Sequence, residues 1–392
     1  MKKLCFLTDS IFSYGGVQRV TAVIAKELAK DYDVTIVTLD KPEQKDTSLY
    51  NLQEADIHYR FFQYPETPRW KQLTCKTYSY LYRRILPQTR FTSDIYAHSS
   101  FPSEKRNALA RELRQGNYNV IIGVHAPLSV RLAACKKQLK GVKLIGWIHN
   151  SHQALFCSSS HYLGLELRKH YEWQLGKLYQ TVVLCHYDAK EYKIPTQVIY
   201  NPLTLIQGNA STGTSKKFLA VGRFSPQHKG FDLLIQAFAL FARNNNEWTL
   251  DIVGEGEEEK SFRNLITKLH LDERISIYPF TNNIQRYYSE AQVYILSSRW
   301  EGMPLVLMEA MSHGLPIISS DLPVCKEIMG DFSIYFKNGN INDLARSLKD
   351  ATEIDWEKKS KEALTIAKRF DITTISNQWR KLIDESDISK NV

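Results

Sequence analysis

The first forty residues contain a pattern that is typical of a parallel β-sheet. A short apolar run at residues 3–8 precedes the glycines Gly15 and Gly16, a segment 17–29 with helical spacing of its apolar side chains, and a β-branched run at 33–39. Strand, turn, helix and strand in this order form a βαβ unit, and its crossover helix makes the two strands parallel. An unbroken β-branched run indicates a strand buried on both faces. The sequence therefore predicts an α/β fold.

The same alternation continues along the chain. Further apolar runs separated by helix-like segments lie at residues 118–123, 142–147, 181–185, 218–223, 248–253, 275–278, 293–296, 316–320 and 333–336. A chain of 392 residues exceeds one ordinary core, and the small polar stretch 208–215 is typical of a linker. We predict two doubly wound Rossmann-like domains facing a central cleft. They comprise residues 1–200 and 201–372, and a helix at about 373–392 packs back on the first domain.

Residues 40–115 are less regular than the rest of the chain. They contain a short strand at 57–62, a helix-like segment at 78–86, and a polar sequence near 88–104 that is typical of a flexible loop. No sheet or helix order is predicted for this stretch as a whole.

Basic and aromatic side chains concentrate in the first half of the chain. The net charge is +9, and residues 58–143 alone hold 16 Lys and Arg against 4 Asp and Glu. A basic surface rich in aromatic residues suits an anionic membrane or a polyanionic acceptor. It would also suit nucleic acid, and a solvated face over a packed aromatic core would need no partner. No nucleic-acid motif accompanies the charge, so nucleic acid is not the expected partner.

Cysteine usage and hydropathy indicate the compartment. The six cysteines are scattered without paired spacing, which argues for a reducing environment without disulfides or structural zinc. No stretch approaches the roughly 20 apolar residues of a membrane helix. We predict a cytoplasmic protein, with peripheral contact to the inner face of the cell membrane as the accompanying hypothesis.

The second domain carries the strongest candidate site. The apolar run 293–296 leads into a loop with Glu301, and a helix with Glu309 follows from Pro304. Free N–H groups at a helix N-terminus attract an anion, most naturally a phosphate. Arg223 and Lys229 follow another strand and supply cations at the same sheet edge, so a diphosphate would be bound without a metal. The two carboxylates would accept hydrogen bonds from sugar or ribose hydroxyls.

The first domain offers two further candidates. Gly15 and Gly16 follow the first strand, where their backbone would approach a phosphate or carboxylate, or where they would simply form a tight turn of positive φ. His149 stands at the end of a buried strand, where open α/β sheets bind ligands. Asp31 and Asp33 spell a D-x-D pattern but lie at the opposite end of the sheet. The P-loop, dinucleotide, nucleophile-elbow and zinc-protease motifs are missing from the sequence.

Together these motifs resemble the family-4 retaining glycosyltransferases of the GT-B fold. The resemblance is carried by Val-Gly-Arg-Phe at 221–224, His-Lys-Gly-Phe-Asp-Leu-Leu at 228–234, Glu-Gly-Met-Pro-Leu-Val-Leu-Met-Glu-Ala at 301–310, Gly-Gly-Val-Gln-Arg at 15–19 and Trp-Ile-His-Asn at 147–150. It is strong over residues 218–330 and weak over 40–115. The family often has Asp where this chain has Asn150.

The resemblance implies a role for each matching residue. Arg223 and Lys229 would bind the donor diphosphate, together with the backbone amides of Leu305 and Val306. Glu309 would bind the ribose hydroxyls, and Glu301 would contact the transferred sugar. Gly15 and Gly16 would let the first domain close over the donor phosphates, and His149 would lie near the sugar and acceptor.

The resulting prediction is a metal-independent retaining glycosyltransferase without a cofactor. It would transfer a hexose or N-acetylhexosamine from a nucleotide-diphosphate sugar, in the first instance a UDP-sugar, to a glycan, lipid-linked or anionic polymer acceptor. The alternatives are an epimerase or phosphorylase of the same fold, a basic nucleic-acid-binding protein, and a scaffold without catalytic activity.

Overall fold

The chain forms two compact units in a computed structural model that describes residues 1–157, 162–205, 210–226 and 228–385. Unit 1 comprises Met1–Pro202 and the segment from Ile372 onward, and unit 2 comprises Leu203–Asp371. The chain therefore leaves unit 1, completes unit 2 and returns. The predicted division at residues 200 and 201 lies two residues before the observed one.

Unit 1 is built on a parallel sheet that has seven strands within the described residues, in the order β3-β2-β1-β4-β5-β6-β7. The strands are β1 (Lys3–Thr8), β2 (Asp33–Thr38), β3 (Ile57–Phe61), β4 (Val120–Val124), β5 (Lys143–Trp147), β6 (Gln180–Val183) and β7 (Thr196–Val198). The helices are α1 (Gly16–Leu28), α2 (Arg69–Arg84), α3 (Arg90–Ser100), α4 (Ser103–Gln115), α5 (Ala126–Ala134), α6 (His152–Phe156), α7 (Arg168–Leu175) and α8 (His186–Glu191). The central strands β1 and β4 are wholly buried apart from Lys3, as their unbroken apolar runs require.

Unit 2 repeats this design with six parallel strands among its described residues, in the order β10-β9-β8-β11-β12-β13. The strands are β8 (Lys217–Val221), β9 (Thr249–Val253), β10 (Ile275–Tyr278), β11 (Val293–Leu296), β12 (Ile317–Ser320) and β13 (Ile334–Phe336). The helices are α9 (Phe231–Ala242), α10 (Glu259–Lys268), α11 (Ile284–Glu290), α12 (Leu305–Ser312), α13 (Pro323–Met329), α14 (Ile341–Asp350) and α15 (Trp356–Ala367). One core cluster joins α9 to the sheet, with Phe218 stacked on Trp248 at 4.5 Å between ring centroids.

The final helix, α16 (Ile372–Asp384), belongs to unit 1. Its Trp379 is fully buried and meets Trp147 of β5 at 4.8 Å between ring centroids. Arg380 pairs with Asp31 at 2.7 Å and with Glu27 at 3.3 Å. The helix predicted at about 373–392 is thus present up to Asp384 and packs on the first domain as expected, while residues 386–392 lie outside the described residues.

The flexible loop predicted near residues 88–104 is wrong, because α3 and the start of α4 occupy this stretch. Thr89 caps α3 by accepting the backbone N–H of Thr92 at 3.2 Å. The polar Ser93 is buried because its hydroxyl bonds His170 Nδ1 at 2.8 Å. A polar residue that is buried because of a distant hydrogen-bond partner cannot be distinguished from a loop residue in the sequence. A strand that the apolar runs did not predict, β7, pairs with β6 at the edge of this sheet.

Both sheets have a switch point, where the chain order reverses between neighbouring strands. In unit 1 it lies between β1 and β4, and in unit 2 between β8 and β11. Connections leave such a pair of strands in opposite directions, which opens a crevice at their carboxyl ends. None of the described helices has the length and apolar composition needed to cross a bilayer.

The buried His170 makes the stability of unit 1 dependent on pH. Burial lowers the pKa of His170 to about 4, whereas an unfolded histidine titrates near 6.5. The unfolded chain therefore binds more protons below pH 6.5, and stability that is complete above this value is lost as the pH falls. By pH 5 this one group is expected to lower the free energy of unfolding by about 2 kcal/mol.

Urea unfolding of wild type and His170→Asn at pH 7.5 and pH 5.0 measures this contribution. The loss of unfolding free energy between the two pH values should be about 2 kcal/mol smaller in the variant. The same replacement at the exposed His58 serves as the control and should leave the loss as in wild type. An identical loss in wild type and His170→Asn would show that His170 is not the group responsible.

Candidate functional site

The loop before α9 places Lys229 beside the loop that follows β11. Gly230 has φ +64°, and a Cβ atom there would lie 2.1 Å from the carbonyl oxygen of Ser297. Glycine is therefore required for both the left-handed backbone and the close approach. Ser297 Oγ donates to the carbonyl oxygen of Lys229 at 2.7 Å. The aliphatic stem of Lys229 lies over Gly222, where a Cβ would meet its carbons at 3.2 Å.

Lys229 and Glu301 form a close ion pair at the switch point of unit 2. Lys229 Nζ donates to Glu301 Oε1 at 2.6 Å, and the hydroxyl of Ser298 donates to the same oxygen at 2.6 Å. The two side chains are 16% and 8% exposed. Burial raises the pKa of Glu301, but Lys229, His228 and Ser298 together outweigh it, so the net pKa is lowered. Glu301 is consequently a carboxylate at neutral pH.

Two further contacts fix the loop that carries Glu301. The guanidinium of Arg299 makes two bonds with Asp232 in the first turn of α9, at 2.9 and 2.7 Å. The imidazole of His228 stacks on Trp300 with 4.8 Å between centroids and 9° between the ring planes. Bidentate and stacked contacts restrict rotation, so the Glu301 carboxylate is held in a defined position.

The helix α12 begins directly after this loop. Pro304 is its N-cap residue and the first helical residue is Leu305, one position later than a proline in the first turn would place it. No side chain caps this end. The backbone N–H groups of Leu305 and Val306 lie in the first turn, where a helix provides no carbonyl acceptor for them. This N-terminus therefore presents N–H groups to an anion at the sheet edge.

Glu309 lies one turn further along α12 and is 2% exposed. Its carboxylate accepts a hydrogen bond from Tyr288 at 2.9 Å and one from Thr204 at 3.4 Å. Neither partner was expected from the sequence, since Tyr288 lies on α11 and Thr204 just inside unit 2. These hydrogen bonds orient the Glu309 carboxylate and offset part of the free-energy cost of burying a charged group in an apolar helix.

Arg223 follows β8 at the same switch point. Its side chain is exposed, and its guanidinium forms no ion pair with any described residue. The structure thus places Arg223, Lys229, Glu301 and the start of α12 at the ends of the neighbouring strands β8 and β11. Guanidinium, ammonium and free amides are the donor groups that hold phosphates.

In unit 1, the loop from β1 to α1 is fixed by two side chains. Asp40 Oδ2 accepts the amides of Ile11 and Phe12 at 2.8 and 3.2 Å. The Tyr50 hydroxyl accepts the amide of Gly15 at 2.9 Å. Gly15 has φ 173° and neither it nor Gly16 is in the left-handed region. The alternative of a tight turn with positive φ is therefore wrong for this diglycine.

His149 is buried two residues after β5, on the far side of β4 from that loop. Its Nε2 has no hydrogen-bond partner among the described residues, and its ring contacts Trp147 at 4.3 Å and His125 at 5.4 Å. Burial, assisted by His125, lowers the pKa of His149 well below its ordinary value. The imidazole is therefore neutral, with one nitrogen available to a ligand hydroxyl.

The sequence reasoning missed His125, although its position directly after β4 was a usable signal. His125 has φ +72°, which is unusual for a residue other than glycine. Non-glycine residues in that region are concentrated at functional sites. The contributions of Tyr288 and Thr204 had no signal, because each depends on a contact with a distant segment. Ser298 lies only three residues before Glu301, but the sequence does not show that the loop turns its hydroxyl toward that carboxylate.

No group of three or more potential metal ligands is found in the part of the chain that the structure describes. The two aspartates of the D-x-D pattern, which were not expected to bind a metal, lie next to basic residues. Asp31 pairs with Arg380 at 2.7 Å, and Asp33 lies 3.7 Å from both Lys3 and His58. Both aspartates therefore have basic neighbours on the surface of unit 1.

Known proteins share this architecture over the full chain. The family description Glycosyltransferase Family 4 matches residues 14–205, and Glycosyl transferases group 1 matches residues 204–369. An uncharacterised glycosyltransferase of Haemophilus influenzae is 27% identical over 98% of this chain and 100% of its own length. Anabaena Alr3699/HepE in complex with UDP-glucose superposes with a TM-score of 0.74 at 18% identity, over 98% of this chain and 99% of that chain.

A third relative matches only part of the chain. The Campylobacter jejuni N-acetylgalactosamine-N,N'-diacetylbacillosaminyl-diphospho-undecaprenol 4-alpha-N-acetylgalactosaminyltransferase is 30% identical over 43% of this chain and 46% of its own length. Two parallel α/β units with this full-length match define a glycosyltransferase of the GT-B fold. The chain belongs to glycosyltransferase family 4. The predicted fold class, family and enzyme class are thereby confirmed.

Proposed function

We propose that the protein transfers a hexose or N-acetylhexosamine from a UDP-sugar to a glycan acceptor, with retention of the anomeric configuration. The observation that carries the proposal is the Lys229–Glu301 pair beside the uncapped start of α12. A partly buried cation, a carboxylate and free amides at one sheet edge match the diphosphate and the hydroxyl groups of such a donor.

The donor diphosphate would be bound by Arg223, Lys229 and the amides of Leu305 and Val306. An ammonium has three N–H donors, so the bond to Glu301 leaves Lys229 able to contact a phosphate oxygen. These positive groups stabilise the negative charge that develops as the diphosphate departs, and in many enzymes such electrostatic stabilisation contributes more to the rate than any other effect. They supply that charge without a metal, and we expect transfer to persist in a chelator.

The sugar and ribose would be bound by the two glutamates. Glu301 accepts from hydroxyls of the transferred sugar, and Glu309 accepts from the ribose diol. In the reaction, the bond from the anomeric carbon to the diphosphate breaks and the acceptor oxygen bonds to that carbon on the same face. The acceptor proton passes to the departing phosphate oxygen, so no enzyme nucleophile is required.

Unit 1 would bind the acceptor. The neutral His149 would supply a hydrogen bond to a hydroxyl group, and the Gly15–Gly16 backbone would contact the donor phosphates. The Campylobacter relative, whose name describes a diphospho-undecaprenol acceptor, supports a lipid-linked glycan or a cell-surface polymer as the acceptor class. We place the reaction in the cytoplasm at the inner face of the membrane.

A panel of nucleotide sugars tests the proposal. A donor at 100 times its Kd should stabilise the protein by about 2.7 kcal/mol in a thermal-shift assay, and UDP-hexoses or UDP-N-acetylhexosamines should give the largest shift. Incubation with acceptor and chelator should then yield an α-linked product from an α-linked donor, identified by NMR. Epimerised donor, or a requirement for inorganic phosphate, would indicate the alternative enzymes instead. A panel without any stabilising nucleotide sugar would overturn the proposal.

A further inference from the structure

Unit 1 has an exposed apolar surface formed by α2 and α3. Twelve large apolar side chains are exposed in the described chain, and six of them lie between residues 70 and 95. They are Trp70, Leu73, Tyr80, Ile85, Phe91 and Ile95. Trp70 is 70% exposed and Phe91 74%. We call these six side chains the α2–α3 surface.

Packing inside unit 1 does not explain this surface. Trp70, Leu73 and Tyr80 are spaced at i, i+3 and i+10, so they share one face of α2. The opposite face holds Tyr82, which is buried and stacks on Tyr96 of α3 at 4.5 Å. The core therefore uses one face of α2 and leaves the other apolar face in solvent. Large exposed apolar patches of this kind mark interaction sites.

A basic groove lies next to the α2–α3 surface. It has a volume of about 720 Å³, and Tyr80 lines it as well as contributing to the apolar face. Its lining includes the cations Lys76, Arg84 and Lys105, which form no ion pair with a described residue, and the hydroxyls of Ser79, Ser99 and Ser100. Residues 69–100 hold six Lys and Arg against one Asp. Cations that have no carboxylate partner, together with hydroxyl groups, are suited to phosphate.

We propose that the α2–α3 surface docks on an anionic phospholipid bilayer. Headgroup phosphates occupy the basic groove, and Trp70, Leu73 and Phe91 enter the boundary between headgroups and acyl chains. Amphipathic helices with a basic and an aromatic side bind membranes in this way. A soluble polyanion would satisfy the groove but leave the adjoining apolar side chains in water, and the combination therefore favours a bilayer. The proposal uses no residue of the donor site and holds whichever sugar is transferred.

Vesicle flotation of the full-length protein tests the docking. Phosphatidylcholine vesicles containing phosphatidylglycerol should carry the protein upward, while pure phosphatidylcholine vesicles should not, and added salt should weaken binding. Lys76→Glu/Arg84→Glu/Lys105→Glu should weaken partitioning at least about tenfold, since each basic residue near an anionic surface contributes about fivefold. Trp70→Ser/Leu73→Ser/Phe91→Ser should weaken it to a similar extent.

The matched control changes the same number of charges in unit 2. Lys268→Glu/Lys349→Glu/Lys358→Glu replaces three exposed lysines and should bind vesicles as wild type does. Thermal unfolding of all variants checks that the chain is folded. If the control and groove variants lost vesicle binding to the same extent, the effect would be due to net charge alone. That result would overturn the proposal that the α2–α3 surface is the docking site. Binding of inorganic polyphosphate without binding of anionic vesicles would assign the groove to a soluble polyanion and would overturn the proposal as well.

Discussion

Glu301→Gln is expected to lower the rate of sugar transfer by about 1000-fold, with UDP affinity unchanged or increased. We expect these two effects because Glu301 is proposed to contact the transferred sugar, whereas Lys229 is proposed to contact the diphosphate. Losing one preorganised polar group that acts in the transition state lowers the rate by about 100- to 1000-fold. UDP lacks the transferred sugar, and the variant removes the negative charge that Lys229 now pairs with at 2.6 Å, so the ammonium can interact more strongly with the diphosphate. Initial rates with saturating donor and UDP titration measure the two effects separately.

A stability measurement separates catalysis from packing. Removing one member of a buried ion pair leaves the other charge uncompensated, so Glu301→Gln should also lower the free energy of unfolding by about 3 kcal/mol. Lys229→Met/Glu301→Gln should recover most of that stability because both charges are gone, but it should not recover transfer. Glu357→Gln, which alters an exposed glutamate of unit 2, is the control for both measurements. A double variant that regained activity together with stability would make the role of Glu301 purely structural.

Glu309→Gln is expected to weaken UDP binding roughly 100-fold, because hydrogen bonds to a charged group contribute about 1.5–3 kcal/mol each. Glutamine keeps an oxygen that can accept from Tyr288, so the packing of α12 is preserved. The loss should be specific for the ribose. We expect wild type to prefer UDP over 2′-deoxy-UDP by about tenfold, and Glu309→Gln to have lost most of this preference.

Arg223→Ala is the matched control in the calorimetric titrations. It should weaken UDP and 2′-deoxy-UDP by the same factor, because its proposed partner is the diphosphate. A variant Glu309→Gln that still discriminated between the two nucleotides as wild type does would show that the carboxylate does not bind the ribose. The comparison of the two variants therefore separates binding of the ribose, assigned to Glu309, from binding of the diphosphate, assigned to Arg223.

Much of the candidate site in unit 2 could be predicted because it follows from strand order. Arg223 comes after β8 and Glu301 after β11, and parallel strands bring their carboxyl ends to one edge. The apolar runs at residues 218–223 and 293–296 identified both strands. The sequence did not predict that Lys229 and Glu301 would pair directly, because this pairing depends on Gly230 approaching Ser297, which is a contact in three dimensions.

The parts that could not be predicted share a physical cause. Ser93 and Ser298 are polar residues whose burial is explained only by partners far along the chain or across a loop. The sequence of residues 88–104 therefore resembles a loop, although the region contains helix α3, whose Tyr96 packs against Tyr82 of α2. Tyr288 likewise supports Glu309 from 21 residues away. Local composition predicts the need for a hydrogen-bond partner but not its identity.

The return of α16 to unit 1 sets an order for folding during synthesis. Unit 2 is translated before α16, and its two ends are joined by the bond from the Leu203 amide to the carbonyl oxygen of Phe370 at 2.7 Å. Unit 2 can therefore close while unit 1 still lacks its last helix. Until α16 leaves the ribosome, Trp147 has no Trp379 to cover it. The nascent chain therefore carries a folded unit 2 and an incomplete unit 1.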